Sequence, residues 1–359
     1  MDAAASEAIQ GEAQVPQLPA AALAYLDAAQ FLRGMVEAGA LRTAFELRLI
    51  DLLAARGTLA VEQLLAATGS DPQGLRFLLD LLAANRVLVV RNGAVSLHPA
   101  FAAVLPYREL MEALIDHAFA LVGDFANHFT AAVSDPQRFA RHARVFQLFD
   151  YGRCLHATPD NLRHTAAWMR LTTALTRHEA PACLELFDMS RHQRLLDVGG
   201  NSGEFALQAC RHHVSLQAVV ADLPVVCDLG LEHVLGQAEA SRIGFLALDA
   251  RASALPVGFD LVSFKSMLHD WPVDEAKRFL VKAVDALAPG GSLLIFERGP
   301  IDVRTAPPAF SLLPILMFFR SYRSPGLYVN TLRALGMQDI VCRHLQLDTP
   351  FFLISARKP

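Results

Sequence analysis

A regular alternation of apolar, strand-like runs with helical segments, beginning at residue 194, constrains the fold of this chain most strongly. The strand-like runs cover residues 194–198, 217–222, 243–248, 260–265, 292–297 and 351–356. Helical segments such as 204–212 and 274–287 separate several of these runs. Strands that alternate with helices build βαβ units, whose strands pair in parallel. The sequence therefore predicts an α/β domain with a doubly wound, mostly parallel sheet.

The part of the chain that precedes this alternation is predicted to be helical. Apolar residues recur there every three or four positions, which is typical of amphipathic helices. The clearest elements are helices over residues 61–67 and 73–84 and hairpin strands over residues 87–90 and 94–97. Asn92-Gly93 lies between the two strands, and Asn-Gly is a favoured two-residue hairpin turn. Three helices followed by this hairpin indicate a winged-helix-like unit.

The pattern changes near residue 190, which we take as the main domain boundary. The chain starts with an Ala-, Gln- and Pro-rich stretch that we expect to be a loose arm, and a mostly helical linker follows the winged-helix-like unit. The four predicted segments are the arm at residues 1–19, the winged-helix-like unit at 20–100, the linker at 101–190 and the α/β domain at 191–359.

Composition excludes a disordered chain, because 53% of the residues are apolar and 19% are charged. Mean hydropathy is +0.30, but the best candidate membrane span, 310–319, contains Pro314 and is shorter than the roughly 20 residues that a bilayer requires. The acidic first residues lack the basic-then-apolar layout of a signal peptide. We therefore expect a cytoplasmic protein without a membrane segment. The apolar surplus would lie in a dimer interface, an apolar ligand pocket, or both.

Charge and cysteine content bear on two further functions, nucleic-acid binding and metal binding by cysteines. A net charge of −4 and a pI of about 6.3 give no support to nucleic-acid binding. The five cysteines are dispersed and form no C-x-x-C pair. We therefore expect a reduced protein with no cysteine zinc site.

A glycine-rich turn is the central motif of the predicted α/β domain. Asp197, Gly199, Gly200 and Gly203 form a D-x-G-G-x-x-G pattern between a strand and a helix. Glycines let the backbone approach a ligand closely, and the N–H groups at a helix N-terminus favour anions. An acid at the end of the strand would repel a phosphate, so the motif suits a cationic or zwitterionic ligand.

Two more acids end successive predicted strands. Asp222 follows about 20 residues after the glycine turn, where a carboxylate can accept both hydroxyls of a ribose. Asp249 follows the third strand. The alternative is a βα turn without a ligand and, for Asp249, an exposed turn acid.

Residues 195–297 resemble the S-adenosylmethionine (SAM)-dependent O-methyltransferases of the plant caffeate and hydroxyindole type, which also occur in bacterial secondary metabolism. The motifs that carry the resemblance are LLDVGGNSGEFA, VVADLP, FKSMLHDW and APGGSLLIFE. The resemblance implies a Rossmann-like class I methyltransferase domain preceded by a helical, winged-helix-like dimerisation domain. It also implies a homodimer that uses SAM, releases S-adenosylhomocysteine (SAH), needs no metal and methylates a small-molecule acceptor.

The same resemblance implies which residues contact the cofactor. These are Asp197, Gly199, Gly200, Gly203, Asp222, Leu223, Asp249, Ala250 and Lys265. One departure concerns the adenine side, where relatives carry Gly-Asp before an aromatic residue or Met and this chain has Leu248-Asp249-Ala250.

The resemblance also implies that His269 is the general base and that Glu297 is its acidic partner. A histidine suits this role because its ordinary pKa is near 6.5. Asp270 is interpreted as a neighbouring or helix-terminal acid rather than as the partner that orients His269. The family has a second glutamate in a G-G-[RK]-E-R-T segment, whereas residues 303–338 contain no Asp or Glu. Either His269 works with Glu297 alone, or proton abstraction is less demanding, or the chemistry differs.

Residues 312–319 and the helix around Trp168 match regions that line the acceptor in the family. The predicted acceptor contacts are Trp168, Met169, Leu316 and Phe319. Aromatic residues and Met form a flat apolar slot, which suits an aromatic acceptor; the alternative for each residue is ordinary core packing.

Three functions are weighed. The first is SAM-dependent O-methyl transfer, and the second is different chemistry on the same cofactor, such as C- or N-methylation, hydroxylation or decarboxylation. The third is a winged-helix regulator. Its recognition helix, 73–86, carries only Arg76 and Arg86 as basic residues, which disfavours phosphate contacts.

Overall fold

The computed structural model of the protein describes residues 18–304 and 308–359. Most of the predicted arm, residues 1–17, lies outside the described residues. The described chain divides into two compact units. We call Ala20–Gln147 with Val303–Met317 the helical unit, and Leu148–Asp302 with Phe318–Pro359 the sheet unit. The four-segment division predicted above stays a prediction.

The helical unit contains a small antiparallel sheet among its helices. Its helices are Ala20–Leu32, Met35–Glu46, Leu49–Arg56, Val61–Thr68, Pro72–Ala84, Pro99–Val104, Leu105–Tyr107, Arg108–Ser134, Pro136–His142, Val145–Leu148, Phe310–Leu312 and Leu313–Met317. Its strands are β1 (Leu59–Ala60), β2 (Leu88–Arg91) and β3 (Ala94–Leu97), in the order β1-β3-β2.

Local chemistry explains the predicted helix and hairpin of this unit, and both are confirmed. Helix Pro72–Ala84 begins where the Asp71 carboxylate accepts the N–H of Gly74 at 2.7 Å, which is a typical N-cap. Asn92 and Gly93 join β2 to β3 with φ angles of 50° and 76°. Two successive positive φ angles define the type I′ turn that Asn-Gly favours.

The sheet unit is built on seven strands in the order β6-β5-β4-β7-β8-β10-β9. These strands are β4 (Arg194–Val198), β5 (Gln217–Asp222), β6 (Ile243–Ala247), β7 (Phe259–Lys265), β8 (Leu287–Arg298), β9 (Gln338–Gln346) and β10 (Pro350–Arg357). Its helices are Tyr151–Leu155, Pro159–Leu186, Glu204–His212, Pro224–Val234, Ala240–Arg242, Leu268–Asp270, Val273–Ala286 and Gly326–Ala334.

Strands β4 to β8 pair in parallel, and β10 is antiparallel to both β8 and β9. The central strands are buried on both faces, as the runs of fully buried residues in β4 and β8 show, and this is expected of parallel strands covered by helices. The predicted α/β class with a doubly wound, mostly parallel sheet is therefore confirmed.

The chain order reverses between β4 and β7, because β5 and β6 lie on one side of β4 and β7 and β8 on the other. Ligands of open α/β sheets bind outside the carboxyl ends of the strands at such a switch point. The predicted site residues lie at these ends: Asp197 on β4, Asp222 on β5, Lys265 on β7 and Glu297 on β8.

Candidate active site

The glycine turn after β4 leaves no room for side chains. Gly199 has a φ of 68° and donates its N–H to the carbonyl of Ala221 at 2.8 Å. A Cβ atom at Gly199 would lie 2.4 Å from Met267 Cγ, and one at Gly200 would lie 2.5 Å from Asp197 Oδ2. Both positions therefore require glycine, and the backbone of the turn stays open to close approach. Gly203, with a φ of 75°, precedes helix Glu204–His212.

Asp197 is a fully buried carboxylate with one oxygen available. Its Oδ1 accepts a hydrogen bond from Ser263 Oγ at 2.6 Å, whereas Oδ2 has no hydrogen-bond partner among the described residues. Burial raises the pKa of Asp197 to about 7, and the nearby Asp222 carboxylate adds to the rise. A buried polar atom without a partner is uncommon in folded proteins, so this oxygen is suited to a donor that arrives with a ligand.

Asp222 joins the end of β5 to the glycine turn. Its Oδ2 accepts the N–H of Asn201 at 2.8 Å, and its Oδ1 accepts the N–H of Leu223 at 2.7 Å. Burial raises the pKa of Asp222 to about 6. Each carboxylate oxygen can accept a second hydrogen bond, so the predicted contact with ribose hydroxyls is compatible with this arrangement. Leu223 is the N-terminal neighbour of helix Pro224–Val234.

Asp249 is engaged by a side chain that the sequence did not single out. Arg251 donates from Nε to Oδ1 at 2.9 Å and from Nη2 to Oδ2 at 2.7 Å. The Arg251 hydrogen bond lowers the pKa of Asp249. The same guanidinium lies 5.0 Å from the centre of the Trp271 ring. Lys282 Nζ donates to the carbonyls of Ala250, Arg251 and Ser253, which fixes the loop that carries Asp249 and Ala250.

Lys265, at the end of β7, lies in a buried network of charges. Its ammonium group donates to Thr176 Oγ1 at 3.0 Å and to the carboxylate of Glu179. Glu179 also accepts from Arg298 Nη2 at 2.5 Å, and Arg298 Nη1 pairs with Asp348 at 2.6 Å. A contact of Lys265 with the cofactor remains a prediction. No signal in the sequence connects Lys265 with Glu179, because they lie 86 positions apart.

His269 and Glu297 come together at the ends of β7 and β8. Glu297 Oε2 lies 2.6 Å from His269 Nδ1, and Oε1 accepts the N–H groups of Met267 and Leu268 at 2.8 and 2.7 Å. Three hydrogen bonds therefore fix the carboxylate. Since a carboxylate only accepts, and the contact at Nδ1 is the shorter and hydrogen-bonded one, we assign the proton of neutral His269 to Nδ1, so that Nε2 carries the lone pair that can take a proton.

The surroundings of His269 make its imidazole more basic. Burial alone would lower its pKa, but the carboxylates of Glu297 and Asp270 outweigh burial and raise the pKa above the ordinary value. Asp270 Oδ1 lies 3.3 Å from His269 Nε2, and Asp270 Oδ2 accepts the hydroxyl of Tyr151 at 2.8 Å. Asp270 therefore contacts the imidazole directly, which the sequence analysis did not anticipate.

The acid-free segment after β8 contributes an aromatic ring and a guanidinium near this turn. The centre of the Tyr322 ring lies 5.0 Å from that of His269, with 50° between the planes. Arg323 Nη1 donates to the carbonyl of Leu268 at 2.9 Å, and Nη2 donates to the carbonyl of Trp271. Arg323 thus holds both ends of the short turn that carries His269.

Two of the predicted acceptor contacts lie side by side. Trp168 and Met169, on helix Pro159–Leu186, are buried in one apolar cluster together with Leu223. Trp168 Nε1 has no hydrogen-bond partner among the described residues. Leu316 lies on helix Leu313–Met317 of the helical unit, and Phe319 in the sheet unit stacks under Arg320. The role of all four residues remains a prediction.

Two features, a membrane-spanning helix and a metal-binding cluster, are absent from the described residues. Within residues 18–304 and 308–359, no helix is long and apolar enough to cross a membrane. No group of three or more His, Cys, Asp or Glu residues that could hold a metal ion occurs in the same ranges.

This fold, with a glycine turn at the switch point of its sheet, defines the class of the chain: a Rossmann-like α/β protein of the kind that binds a nucleotide cofactor. The profile of the O-methyltransferase domain matches residues 129–321, and that of the O-methyltransferase dimerisation domain matches residues 29–102. The chain belongs to the SAM-dependent O-methyltransferase family. The predicted family, the fold class with its dimerisation domain, and the class of enzyme are confirmed.

Individual relatives agree with this assignment. The chain is 30% identical over 267 residues to demethylspheroidene O-methyltransferase of Cereibacter sphaeroides, and the match covers 74% of this chain and 68% of that protein. It is 34% identical over 157 residues to 3-hydroxy-5-methyl-1-naphthoate 3-O-methyltransferase of Streptomyces sahachiroi, where the match covers 43% of this chain and 45% of that protein. The chain therefore spans less than half the length of the second relative.

A solved structure shows the same fold. Human N-acetylserotonin methyltransferase in complex with SAM superposes with a TM-score of 0.71 at 22% identity, covering 90% of this chain and 94% of that chain. At this identity the likeness concerns the fold alone. The mitomycin 7-O-methyltransferase gives a TM-score of 0.69 at 23% identity.

Proposed function

We propose that this protein transfers the methyl group of SAM to a hydroxyl group of a small aromatic acceptor, with His269 as the general base. The observation that carries the proposal is the 2.6 Å contact between His269 Nδ1 and the buried carboxylate of Glu297. A base that is oriented by a fixed acid is the arrangement that general-base catalysis requires.

The residues at the glycine turn fit the cofactor. Oδ2 of Asp197 is buried without a hydrogen-bond partner, and a carboxylate at this place suits the cationic amino group of the methionine part. Gly200 keeps the space beside that oxygen open, since a Cβ atom would fill it. Asp222 would accept the ribose hydroxyls. When bound, SAM supplies an electrophilic methyl group on its sulfonium.

His269 has to be neutral to act as a base. Its Nε2 then takes the proton of the acceptor hydroxyl, while Glu297 stabilises the positive charge that the imidazole acquires. A phenol has an ordinary pKa near 10, so the raised pKa of His269 makes the proton transfer less unfavourable. Activity should therefore fall as the pH decreases below the raised pKa of His269, because the protonated imidazole cannot accept the proton.

The apolar cluster around Trp168 and Met169 supports an aromatic acceptor. The names of two relatives, a 3-hydroxynaphthoate 3-O-methyltransferase and acetylserotonin O-methyltransferase of Bos taurus (29% identical over 174 residues), point to the same acceptor chemistry. Another relative is an N,N-dimethyltransferase of Streptomyces rimosus, 27% identical over 139 residues. Amines are therefore the competing class of acceptor.

A panel of phenols and matched aromatic amines, incubated with SAM and followed by mass spectrometry, tests this proposal. We expect a product heavier by one methyl group from at least one phenol, together with SAH. Binding of SAH is measured separately by calorimetry. Methylation of amines alone would refute transfer to oxygen, and failure to bind SAH would refute methyl transfer altogether.

A further inference from the structure

The hydroxyl of Tyr151 donates a hydrogen bond to Asp270, the carboxylate that contacts His269. We propose that Asp270, held in place by the Tyr151 hydroxyl, is the second carboxylate that acts on His269, and that Tyr151 is accordingly a positioning residue of the base. The inference rests on the proposed role of His269. It goes beyond that role because the sequence favoured Glu297 over Asp270 as the group that orients His269.

The contacts form a chain of three groups. The Tyr151 hydroxyl donates to Asp270 Oδ2 at 2.8 Å, and Asp270 Oδ1 lies 3.3 Å from His269 Nε2. Each carboxylate oxygen of Asp270 thus has a different partner. Since Nε2 is the nitrogen that would take the acceptor's proton, Asp270 acts on the reacting side of the ring and Glu297 on the opposite side.

The position of Tyr151 is itself fixed by packing. Its ring lies 5.7 Å from the ring centre of Trp168 with 73° between the planes, and 5.7 Å from that of Trp271 with 30° between the planes. The hydroxyl therefore cannot swing away from Asp270 without disturbing two indole rings. Because these contacts hold the ring, replacement by Phe removes the hydrogen bond and leaves the packing in place.

The segment after β8 supplies no carboxylate to His269. Residues 303–338 contain no Asp or Glu, and this segment presents the Tyr322 ring to the imidazole instead. Tyr322 is buried, and burial raises its pKa well above the ordinary value, so it brings no negative charge. Asp270 supplies a charge from the turn on which His269 itself lies.

Several charged groups face His269 and Asp270 and decide in which direction the pKa of each residue shifts. Glu297 and Asp270 raise the pKa of His269, and Arg298 lowers it. Burial raises the pKa of Asp270 and Glu297 adds to the rise, whereas His269, Arg323 and the hydrogen bond from Tyr151 lower it. The Tyr151 hydroxyl therefore favours the ionised form of Asp270, and ionised Asp270 favours the protonated form of His269.

The proton transfer balances without a further reactant. The O–H bond of the acceptor breaks, an N–H bond forms at His269 Nε2, and the acceptor oxygen forms its bond to the methyl carbon as the bond from that carbon to sulfur breaks. The positive charge of the imidazole then lies between two carboxylates, with Glu297 Oε2 2.6 Å from Nδ1 and Asp270 Oδ1 3.3 Å from Nε2. The proton then leaves to solvent, which returns His269 to its neutral form.

Titration of His269 in the SAH-bound protein tests this inference without any need for activity. The imidazole signal is followed by NMR from low to high pH in histidine-labelled protein, and His269→Ala identifies the signal by its loss. In Tyr151→Phe we expect the midpoint of the titration to shift to lower pH, because Asp270 loses the hydrogen bond that favours its ionised form. Asp270→Asn should shift it further in the same direction. Tyr25→Phe, the same substitution in the helical unit, should leave it unchanged.

Activity gives a second readout once an acceptor is known. The acidic limb of the kcat profile should move to lower pH in Tyr151→Phe, with kcat at its plateau about tenfold lower and the affinity for SAH unchanged. A purely structural Tyr151 would lower kcat without moving that limb.

Unchanged titration of His269 in a folded, SAH-binding Asp270→Asn protein would overturn the inference, whether or not Tyr151→Phe folds. If the wild-type protein methylates no acceptor, the proposed function fails, but the titration still decides whether Tyr151 and Asp270 act on His269.

Discussion

At the level of single residues, the orientation of the His269 imidazole decides which of its nitrogens can take a proton. Glu297 fixes the proton of neutral His269 on Nδ1 because the carboxylate can only accept a hydrogen bond. The two backbone N–H groups that bind the other oxygen keep the carboxylate from rotating. The geometry thereby selects the tautomer that carries its lone pair on Nε2.

Replacement of Glu297 by Gln tests that selection. The amide can offer an N–H to Nδ1, which would place the proton of neutral His269 on Nε2, where it blocks the acceptance of a proton. We expect kcat to fall about a hundredfold or more, with SAH affinity unchanged in calorimetry. An unchanged kcat would show that Glu297 does not orient the base.

The buried Asp197 carboxylate should make the stability of the folded protein depend on pH. Burial raises its pKa from an ordinary value of 3.8 to about 7, so ionisation costs more in the folded than in the unfolded protein. The folded protein without cofactor therefore loses stability as the pH rises from the ordinary pKa to the raised one.

Asp197→Asn removes that cost. In the absence of SAM and SAH at pH 8, we expect the free energy of unfolding of the variant to exceed that of the wild type by about 2–4 kcal/mol. The variant should therefore melt at a higher temperature. The gain should be smaller at pH 5, because there the ionisation cost is only partly present. The variant should also bind SAH more weakly, since the negative charge is gone. Equal melting temperatures at pH 8, measured by calorimetry, would contradict this reading of Asp197.

The residues near the site differ in how far the sequence could predict them. His269 and Glu297 were found because the segments FKSMLHDW and APGGSLLIFE resemble family motifs, and the structure brings the ends of their strands, β7 and β8, side by side. Tyr151 and Glu179 were missed, because they contact Asp270 and Lys265 across 119 and 86 positions. Contacts of this range depend on how helix Pro159–Leu186 and the turn before it pack on the sheet, and no local pattern records that packing.

At the element scale, the short turn Leu268–Asp270 depends on a side chain from another segment. Arg323 donates to the carbonyls of Leu268 and Trp271, on either side of His269 and Asp270. These hydrogen bonds add to the two backbone hydrogen bonds of this three-residue turn, which run from the Asp270 N–H to the Met267 carbonyl at 3.2 Å and from the Trp271 N–H to the Leu268 carbonyl at 3.5 Å.

Arg323→Met keeps the length of the side chain and removes its donors. Because the turn would then be held less firmly, we expect kcat to fall between about tenfold and a hundredfold, with SAH affinity retained. Arg333→Met, an exposed arginine on helix Gly326–Ala334, serves as the matched control. Equal losses in the two variants, compared by steady-state kinetics, would show that Arg323 has no special role.

The elements of the sheet were largely predictable. Six of its strands follow apolar runs, and five of these agree with the predicted limits to within one residue, whereas β8 begins at Leu287, five residues before the predicted start at 292. Strand β9 (Gln338–Gln346) was missed because polar and charged residues interrupt its apolar ones, and most of its side chains are exposed or partly buried. It lies at the edge of the sheet, where such residues are common, so its apolar signal is weak.

At the scale of the whole molecule, the helical unit accounts for part of the apolar surplus. Phe77, on helix Pro72–Ala84, is 65% exposed, and it lies in the region that matches the O-methyltransferase dimerisation domain. Large exposed aromatic residues are characteristic of protein interfaces. We therefore expect this face to bind a second copy of the chain.

Phe77→Asp should shift the protein from dimer to monomer in analytical ultracentrifugation at micromolar concentration. A buried charge without a partner is unfavourable in an interface, whereas the exposed side chain contributes little to the fold of one subunit. Val214→Asp, at an 83% exposed position of the sheet unit, should remain dimeric. A dimeric Phe77→Asp protein would show that the subunits associate through another surface.

The proposed role of His269 is to remove the proton of the acceptor, and the rate of methyl transfer without this imidazole shows whether it does. Single-turnover methyl transfer to the best phenol of the panel is measured for the wild type and for His269→Ala, with SAH affinity determined on the same samples. We expect the substitution to abolish transfer at neutral pH and to leave the affinity for SAH unchanged. Transfer by His269→Ala at the wild-type rate would contradict this role.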